Sequence, residues 1–534
     1  MLQRLRIDPG KLRAKVRALG TWRARGLAFV LGFAAVAAMP PTYQIYILIP
    51  AFSGLLWLAA DAPTKWRAFT VGWFFGAGFF TAGLYWVSFA LLVDAAKFAW
   101  LIPFAVLGFA FGMGLFAAFA ALAVRAAPGP LWARALVLAG VWALLEWLRA
   151  WLLTGFPWNP VGSVWAVSDV TIQGAAWVGV FGQSLLTVLI AAAPGALAEP
   201  ARAPKVLTGV AVLGIALMTM GGAHRLSQDS GAVHDGVRLR LIQPNIPQAE
   251  KWRPELRARN MEIQLALMTA PPRHGAPAPT HVIWAETSAP FFIENHKVWR
   301  RVVADATPRE GLTILGAPRV VQSGGSAGGG EDGRRALQVA NSLLAFDGEG
   351  ALAGVFDKFH LVPFGEYVPL SEWLPLDKIT QGVGAFTAGP GPITLELKGL
   401  PPVSPLICYE IIFPHEVTDG SGRAQWLLNL TNDAWYGNTA GPYQHFVSAR
   451  LRAVEQGLPT VRVAYTGISA IIDAYGQLQG RIGLSEQGFL DGPLPKAIQR
   501  PGLYARFGNP VPVSCAMVVL LLGFAMGLRA QNPL

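Results

Sequence analysis

A chain of 534 residues in which 53% are hydrophobic and only 14% are charged, against roughly 25% charged in soluble domains, is too apolar to be one soluble globule. Its net charge of +11 lies wholly outside residues 223 to 508, where basic and acidic side chains balance. A basic surplus beside apolar runs fits a membrane protein whose inner segments carry Lys and Arg, and gives no ground for a nucleic-acid partner. Two cysteines, Cys408 and Cys515, exclude a disulfide framework, and no spacing of Cys or His suits a metal.

Residues 1 to 25 form a basic segment that reads as a retained cytoplasmic anchor, since no small-residue cleavage site follows. Apolar runs then recur at 26 to 39, 42 to 60, 68 to 93, 98 to 124, 132 to 153, 176 to 197 and 205 to 222, and again at 511 to 528. Spanning about 30 Å of hydrocarbon takes roughly 20 apolar residues, so these predict eight helices, seven in a bundle over 26 to 222 and one in the tail 509 to 534. Met39-Pro40-Pro41-Thr42 separates the first two as a tight turn, because Pro cannot continue a helix interior.

With the N-terminus inside, the inner segments carry fifteen Lys and Arg, and the short outer ones carry only Lys97. Both termini are therefore expected in the cytoplasm and residues 223 to 508 outside. Glu146 and Arg149 sit three apart within an apolar run, a spacing at which an ion pair along one helix is the plain structural reading. Thr154-Gly155-Phe156-Pro157-Trp158-Asn159-Pro160 follows as an outer loop, suited to interfacial anchoring or to lining a lipid entry.

From Val237 the pattern changes to short β-branched runs bounded by Gly, Pro and Asn. Strands are expected at 237 to 243, 280 to 286, 312 to 317, 341 to 347, 351 to 357, 402 to 408, 425 to 431 and 460 to 473, with helices at 251 to 269 and 442 to 456. This mixture predicts one α/β domain over 223 to 508. Within it Gly324-Gly325-Ser326-Ala327-Gly328 matches G-x-S-x-G only formally, because polyglycine supplies neither the strand nor the helix of a nucleophile elbow. The segment Leu370 to Phe386 is apolar enough for a lid or for a packed loop.

Three strand ends carry chemistry. Glu286 follows the apolar run His281-Val282-Ile283-Trp284, where burial would favour a general base. Lys358 ends another run, where an ammonium can face a developing oxyanion. Cys408 ends a third, and a nearby base and cation would make its thiol a nucleophile rather than packing.

The residues Trp284-Ala285-Glu286-Thr287, Asp357-Lys358-Phe359-His360 through Pro369, and Leu406-Ile407-Cys408-Tyr409-Glu410 resemble, in order, the Glu-Lys-Cys triad motifs of the nitrilase (carbon–nitrogen hydrolase) superfamily. Joined to a multi-span bundle, they resemble its membrane-bound branch, the apolipoprotein N-acyltransferase family. The similarity extends to Glu146-Trp147-Leu148-Arg149, Gln243-Pro244-Asn245-Ile246-Pro247-Gln248 with Lys251-Trp252, Asn432 to Gly437 and Gly441 to His445.

The resemblance implies an αββα sandwich and a ping-pong reaction without cofactor, in the inner membrane with the catalytic domain on the periplasmic side. A phospholipid, typically phosphatidylethanolamine, would donate its sn-1 acyl chain to Cys408, and the α-amine of a diacylglyceryl-apolipoprotein would accept it. Glu286 would be the base, and Lys358 with the N–H after Cys408 the oxyanion site. Glu366 would orient Lys358, while Trp252, Tyr409 and Glu410 would surround the pocket of a monomeric enzyme. A membrane-tethered amidase acting on a small amide is the alternative on the same triad.

Overall fold

The computed structural model describes residues 8–272, 275–321, 338–369 and 385–531. Both the Gly-rich segment 323 to 330 and all but the last two residues of the expected lid fall outside them.

Among the described residues, five helices are long and apolar enough to cross a membrane: Ala95–Ala126, Leu131–Arg149, Ala175–Ala196, Arg202–Leu226 and Pro510–Gln531. The other three expected spans are also helical, as Thr21–Ala35, Leu48–Ala60 and Lys65–Leu84, the last followed by a short helix Val87–Leu92 after a break. Small residues set the packing. Gly76 on Lys65–Leu84 faces Gly114 on Ile102–Ala126 so closely that a Cβ there would lie 2.6 Å from the Gly114 Cα, which lets the two backbones touch.

The half of the chain after the bundle helices contains two sheets. Strands β1 (Val233–Gln243), β2 (His281–Trp284), β3 (Thr313–Val320), β4 (Val339–Phe346), β5 (Leu352–Asp357) and β11 (Gly488–Pro495) form one, in the order β11-β1-β2-β3-β4-β5. Strands β6 (Val403–Ile407), β7 (Trp426–Thr431), β8 (Thr460–Ala464), β9 (Ser469–Ile472) and β10 (Leu478–Ile482) form the other, in the order β10-β9-β8-β7-β6. The first sheet has a parallel centre, β1-β2-β3, with antiparallel strands on both sides; in the second the parallel set β8-β7-β6 runs to one edge and β9 and β10 continue antiparallel on the other.

Strand alternation assigns the faces. Leu241, Ile283 and Leu343 of the first sheet pack against Leu428, Val461 and Ile471 of the second in one shared core. Outside the first sheet, helices Arg257–Thr269 and Lys297–Ala306 cover Ile242, Trp284 and Leu315. Outside the second, helix Ala440–Gln456 lies between the sheet and the bundle, so that Leu406, Leu427, Phe446 and Ala449 join a core continuous with Phe52, Trp142 and Trp158. The expected αββα sandwich is thus present, with one helical layer wedged onto the membrane half.

Several elements differ from expectation. The run 460 to 473 is a hairpin, β8 and β9, because Thr466-Gly467 breaks it. Strands β10 and β11 lacked a strong apolar period and were not anticipated; nor was helix Lys297–Ala306, although its sequence is clearly amphipathic. The expected helix 251 to 269 begins only at Arg257, after Pro254. Neither Glu286 nor Cys408 lies in a strand, since β2 stops at Trp284 and β6 at Ile407.

Gly179 breaks the Ala175–Ala196 helix at φ 62°, and the freed Val180 N–H donates to Glu455 Oε1 at 2.8 Å. Glu455 is fully buried at the end of Ala440–Gln456 and pairs with Arg452 at 2.7 Å. A carboxylate from one half therefore caps a helix of the other, fixing the sandwich to the bundle.

Candidate active site

Glu286, Lys358 and Cys408, spread over a stretch of about 120 residues, meet at one end of the two sheets, and all three are buried. β2 delivers Glu286, β5 delivers Lys358, and β6 delivers Cys408. Cys408 has φ 52°, a left-handed conformation that a non-glycine residue adopts only when its surroundings impose it. It opens a 3-10 turn, Cys408–Ile412, so its side chain leaves the strand direction and its successor's N–H starts a helix with no partner behind it.

Lys358 Nζ lies 3.0 and 2.9 Å from the two oxygens of Glu366 and 3.7 Å from Glu286 Oε1. Burial by itself would lower its pKa, but Glu366, Glu286 and Cys408 raise it above the ordinary lysine value, so the ammonium is kept. Glu366 also accepts from Val362 N at 2.8 Å, which fixes the loop that carries it. Asn341 on β4 donates to Glu286 Oε1 at 2.8 Å and to Glu366 Oε1 at 3.0 Å, joining the two carboxylates. Burial and Glu286 push the Cys408 thiol up to about 12, with Lys358 pulling the other way.

Of the supporting residues expected from sequence, Glu366 is in direct contact with the triad and two others brace it. Glu410 accepts from Ile407 N at 2.6 Å and from Phe359 N and His360 N at 2.7 and 3.1 Å. It therefore ties the Cys408 turn to the segment after Lys358, and burial holds its carboxyl up at about 8. Tyr409 donates its hydroxyl to Gly155 O at 2.9 Å, across to the bundle. Trp252, next to Lys251 in sequence, is half-buried and, among the described residues, makes no side-chain hydrogen bond or ring contact.

Sequence reasoning gave no site role to five further residues, of which Lys251, Tyr436 and His445 lie in segments that the resemblance covers and Asn341 and Arg462 do not. Lys251 is fully buried, donates to Glu286 O at 3.1 Å and lies 4.0 Å over the Tyr465 ring; burial brings its ammonium down to about 7 despite Glu286 and Cys408. Asn341 gave no signal, being one polar residue in an apolar strand. His445 contacts the Cys408 carbonyl at 3.1 Å through Nε2 and Asp433 Oδ1 at 2.8 Å through Nδ1. Arg462 reaches Asp433 Oδ2 at 2.7 Å, and with His445 holds that carboxyl down at about 2 against the effect of burial. Tyr436 lies close to Cys408, and burial together with the charges of Cys408, Asp433 and Glu286 keeps its phenol well above the ordinary tyrosine value. Because a peptide is planar, fixing the Cys408 carbonyl also fixes the direction of the Tyr409 N–H.

The bundle completes the setting. Glu146 and Arg149 do not pair as their spacing suggested. Glu146 Oε1 accepts from Trp142 Nε1 and Val161 N, both at 2.9 Å, and Arg149 Nη1 donates to Phe156 O and Trp158 O at 2.6 and 2.8 Å. Two buried charges thus shape the 154 to 161 loop. That loop offers Thr154 O to His360 Nε2 at 2.8 Å, Gly155 O to Tyr409, and Trp158 Nε1 to Gln444 Oε1 at 2.8 Å. With Trp158 buried, the loop forms a floor beneath the Cys408 turn.

Residues 31–193 match the family model for the apolipoprotein N-acyltransferase N-terminal domain, and residues 245–499 match that for carbon-nitrogen hydrolase. The chain is 38% identical over 516 residues to the apolipoprotein N-acyltransferase of Rhodopseudomonas palustris, which covers 94% of this chain and 95% of that one. It is likewise 38% identical over 504 residues to that of Rhizobium rhizogenes, covering 91% and 93%. An amidase from Nesterenkonia sp. is also similar, at 20% identity and a TM-score of 0.34 over 50% of this chain and 94% of that one. By the two domain matches and near-full-length identity, the chain belongs to the apolipoprotein N-acyltransferase family.

Proposed function

We propose that the protein transfers the sn-1 acyl chain of a membrane phospholipid, phosphatidylethanolamine being the expected donor, to the α-amino group of the N-terminal S-diacylglyceryl cysteine of apolipoproteins. The observation that carries this reading is the buried Cys408 beside Glu286 and Lys358, built directly onto a membrane bundle.

Glu286 takes the Cys408 proton as sulfur attacks the ester carbonyl. The oxyanion is met by the Lys358 ammonium and the Tyr409 N–H, the latter aimed by the His445 hold on the Cys408 carbonyl. Glu286 returns the proton to the departing glycerol oxygen, leaving a thioester and a lysophospholipid. The lipoprotein amine then attacks the thioester carbonyl, the C–S bond breaks, Cys408 regains a proton and an amide results. A thioester keeps the acyl-transfer potential of the ester, so neither ATP nor CoA is called on.

An amidase acting on a small soluble amide would have no use for a floor supplied by the bundle, which disfavours that alternative. Incubating the purified protein with phospholipid alone should add one fatty-acyl mass, removable by hydroxylamine. A protein that stays unmodified yet still acylates an apolipoprotein peptide would count decisively against the thioester route.

The distribution of Lys and Arg supports a multi-pass protein of the inner membrane with both termini cytoplasmic and the sandwich periplasmic. A reporter active only outside the cytoplasm should work when inserted near Gly328 and be silent when fused after Leu534. The reverse pattern would invert the bundle and remove lipoprotein maturation from consideration.

A further inference from the structure

A second feature of the molecule shares no residue with the triad or its supports. Where helix Arg202–Leu226 ends on the catalytic-domain side of the bundle and helix Pro510–Gln531 begins, a cavity of about 370 Å³ is lined by Arg225, Arg500, Arg506, His224, Trp177 and Leu503, among others. No carboxylate lines it. Among the described residues, neither Arg500 nor Arg506 has an ion-pair or side-chain hydrogen-bond partner, and both are exposed.

Arg225 is held more firmly, on Gln173 Oε1 and 4.9 Å from the Tyr475 ring, and this leaves its Nη2 buried with no hydrogen-bond partner. Asp473 lies near enough to act on Arg225 through its charge, and Asp229 lies near Tyr475, but among the described residues neither forms an ion pair with Arg225. Three guanidinium groups thus line one cavity whose lining holds no carboxylate, an arrangement that favours entry of an anion. A guanidinium fork matches a tetrahedral oxyanion, and the exposed Arg500 and Arg506 are free to turn theirs toward one.

The location narrows the anion. The cavity sits at the level where two apolar helices meet the sandwich, with a Trp in its lining and Leu503 and Phe507 exposed at 44% and 62% beside it. We propose that this cavity binds a phosphate group at the membrane surface through Arg225, Arg500 and Arg506, as a lipid site separate from the acyl-donor pocket. The two sources of such a group are the phosphodiester of a glycerophospholipid and free phosphate; the flanking apolar side chains suit the former.

The test uses full-length Cys408→Ala protein, so the readout does not depend on acyl transfer. Native mass spectrometry in detergent compares it with the Cys408→Ala/Arg500→Gln/Arg506→Gln protein, titrating dioleoylphosphatidylglycerol, dioleoylglycerol or inorganic phosphate. The expected result is one fewer bound phosphatidylglycerol, or at least about tenfold weaker binding of it, in the Gln variant, with dioleoylglycerol binding equal in both. Arg500→Lys/Arg506→Lys should keep most of the binding, because charge is retained. A Gln-sensitive uptake of inorganic phosphate without any for the lipid would assign the site to free phosphate. Equal phosphatidylglycerol and phosphate binding in both proteins, or the same loss with dioleoylglycerol, would overturn the proposal.

Discussion

Cys408→Ser is expected to lower acyl transfer by a factor on the order of 10⁵ to 10⁶ and to abolish the fatty-acyl mass gain on incubation with phospholipid. The thiol already sits high, at about 12, because burial and Glu286 both oppose its charge, so attack depends on proton removal at the moment of bond formation. A serine hydroxyl is several orders of magnitude less acidic still, and the same carboxylate cannot take its proton at a useful rate. The φ of 52° at Cys408 also aims this one side chain, so no neighbouring group can substitute. Intact-protein mass spectrometry and peptide N-acylation are the readouts. An acyl adduct of normal yield on the Ser variant would place the nucleophile elsewhere.

Glu286→Gln should lower thioester formation by about 10³-fold, the scale of a lost general base, yet change thiol reactivity in the opposite direction. The carboxylate raises the Cys408 pKa and Lys358 lowers it, so neutralising residue 286 leaves Lys358 as the nearer charge and the thiol becomes more acidic. Alkylation by iodoacetamide at pH 8 should therefore quicken in the variant while acyl transfer collapses. A purely structural role for Glu286 would slow both.

Glu366→Gln offers the comparison. It removes the closer of Lys358's two partners and leaves Glu286 at 3.7 Å, which should loosen the ammonium and slow thioester formation by about 10 to 100-fold. Lys358→Arg should fail outright, since a planar fork does not fit where Glu286, Glu366 and Asn341 converge on one compact ammonium. Were Glu366→Gln as inactive as Glu286→Gln at unchanged thermal stability, the division of roles between the two carboxylates would be wrong.

What was legible in the linear chain was whatever periodicity and composition encode locally. Apolar runs long enough to cross hydrocarbon marked the helices from Thr21 to Leu226 and Pro510 to Gln531, and β-branched runs ending in Glu286, Lys358 and Cys408 marked the strands that deliver the chemistry. Those features are legible because burial on one or both faces demands apolar residues at fixed spacing.

Only the tertiary structure decided how polar groups are partnered. Glu146 and Arg149 looked like a pair and instead each hold the 154 to 161 loop, because backbone groups of that loop, buried under the sandwich, need partners more than two neighbouring side chains need each other. Asn341 is a single polar residue in an apolar strand, and although Lys251 and His445 lie in segments covered by the resemblance, no period reveals what any of the three does. They become part of the site because the two sheets and helix Ala440–Gln456 bring them within hydrogen-bond distance of Glu286 and Cys408, where a buried polar atom left alone would cost more than the contact it makes.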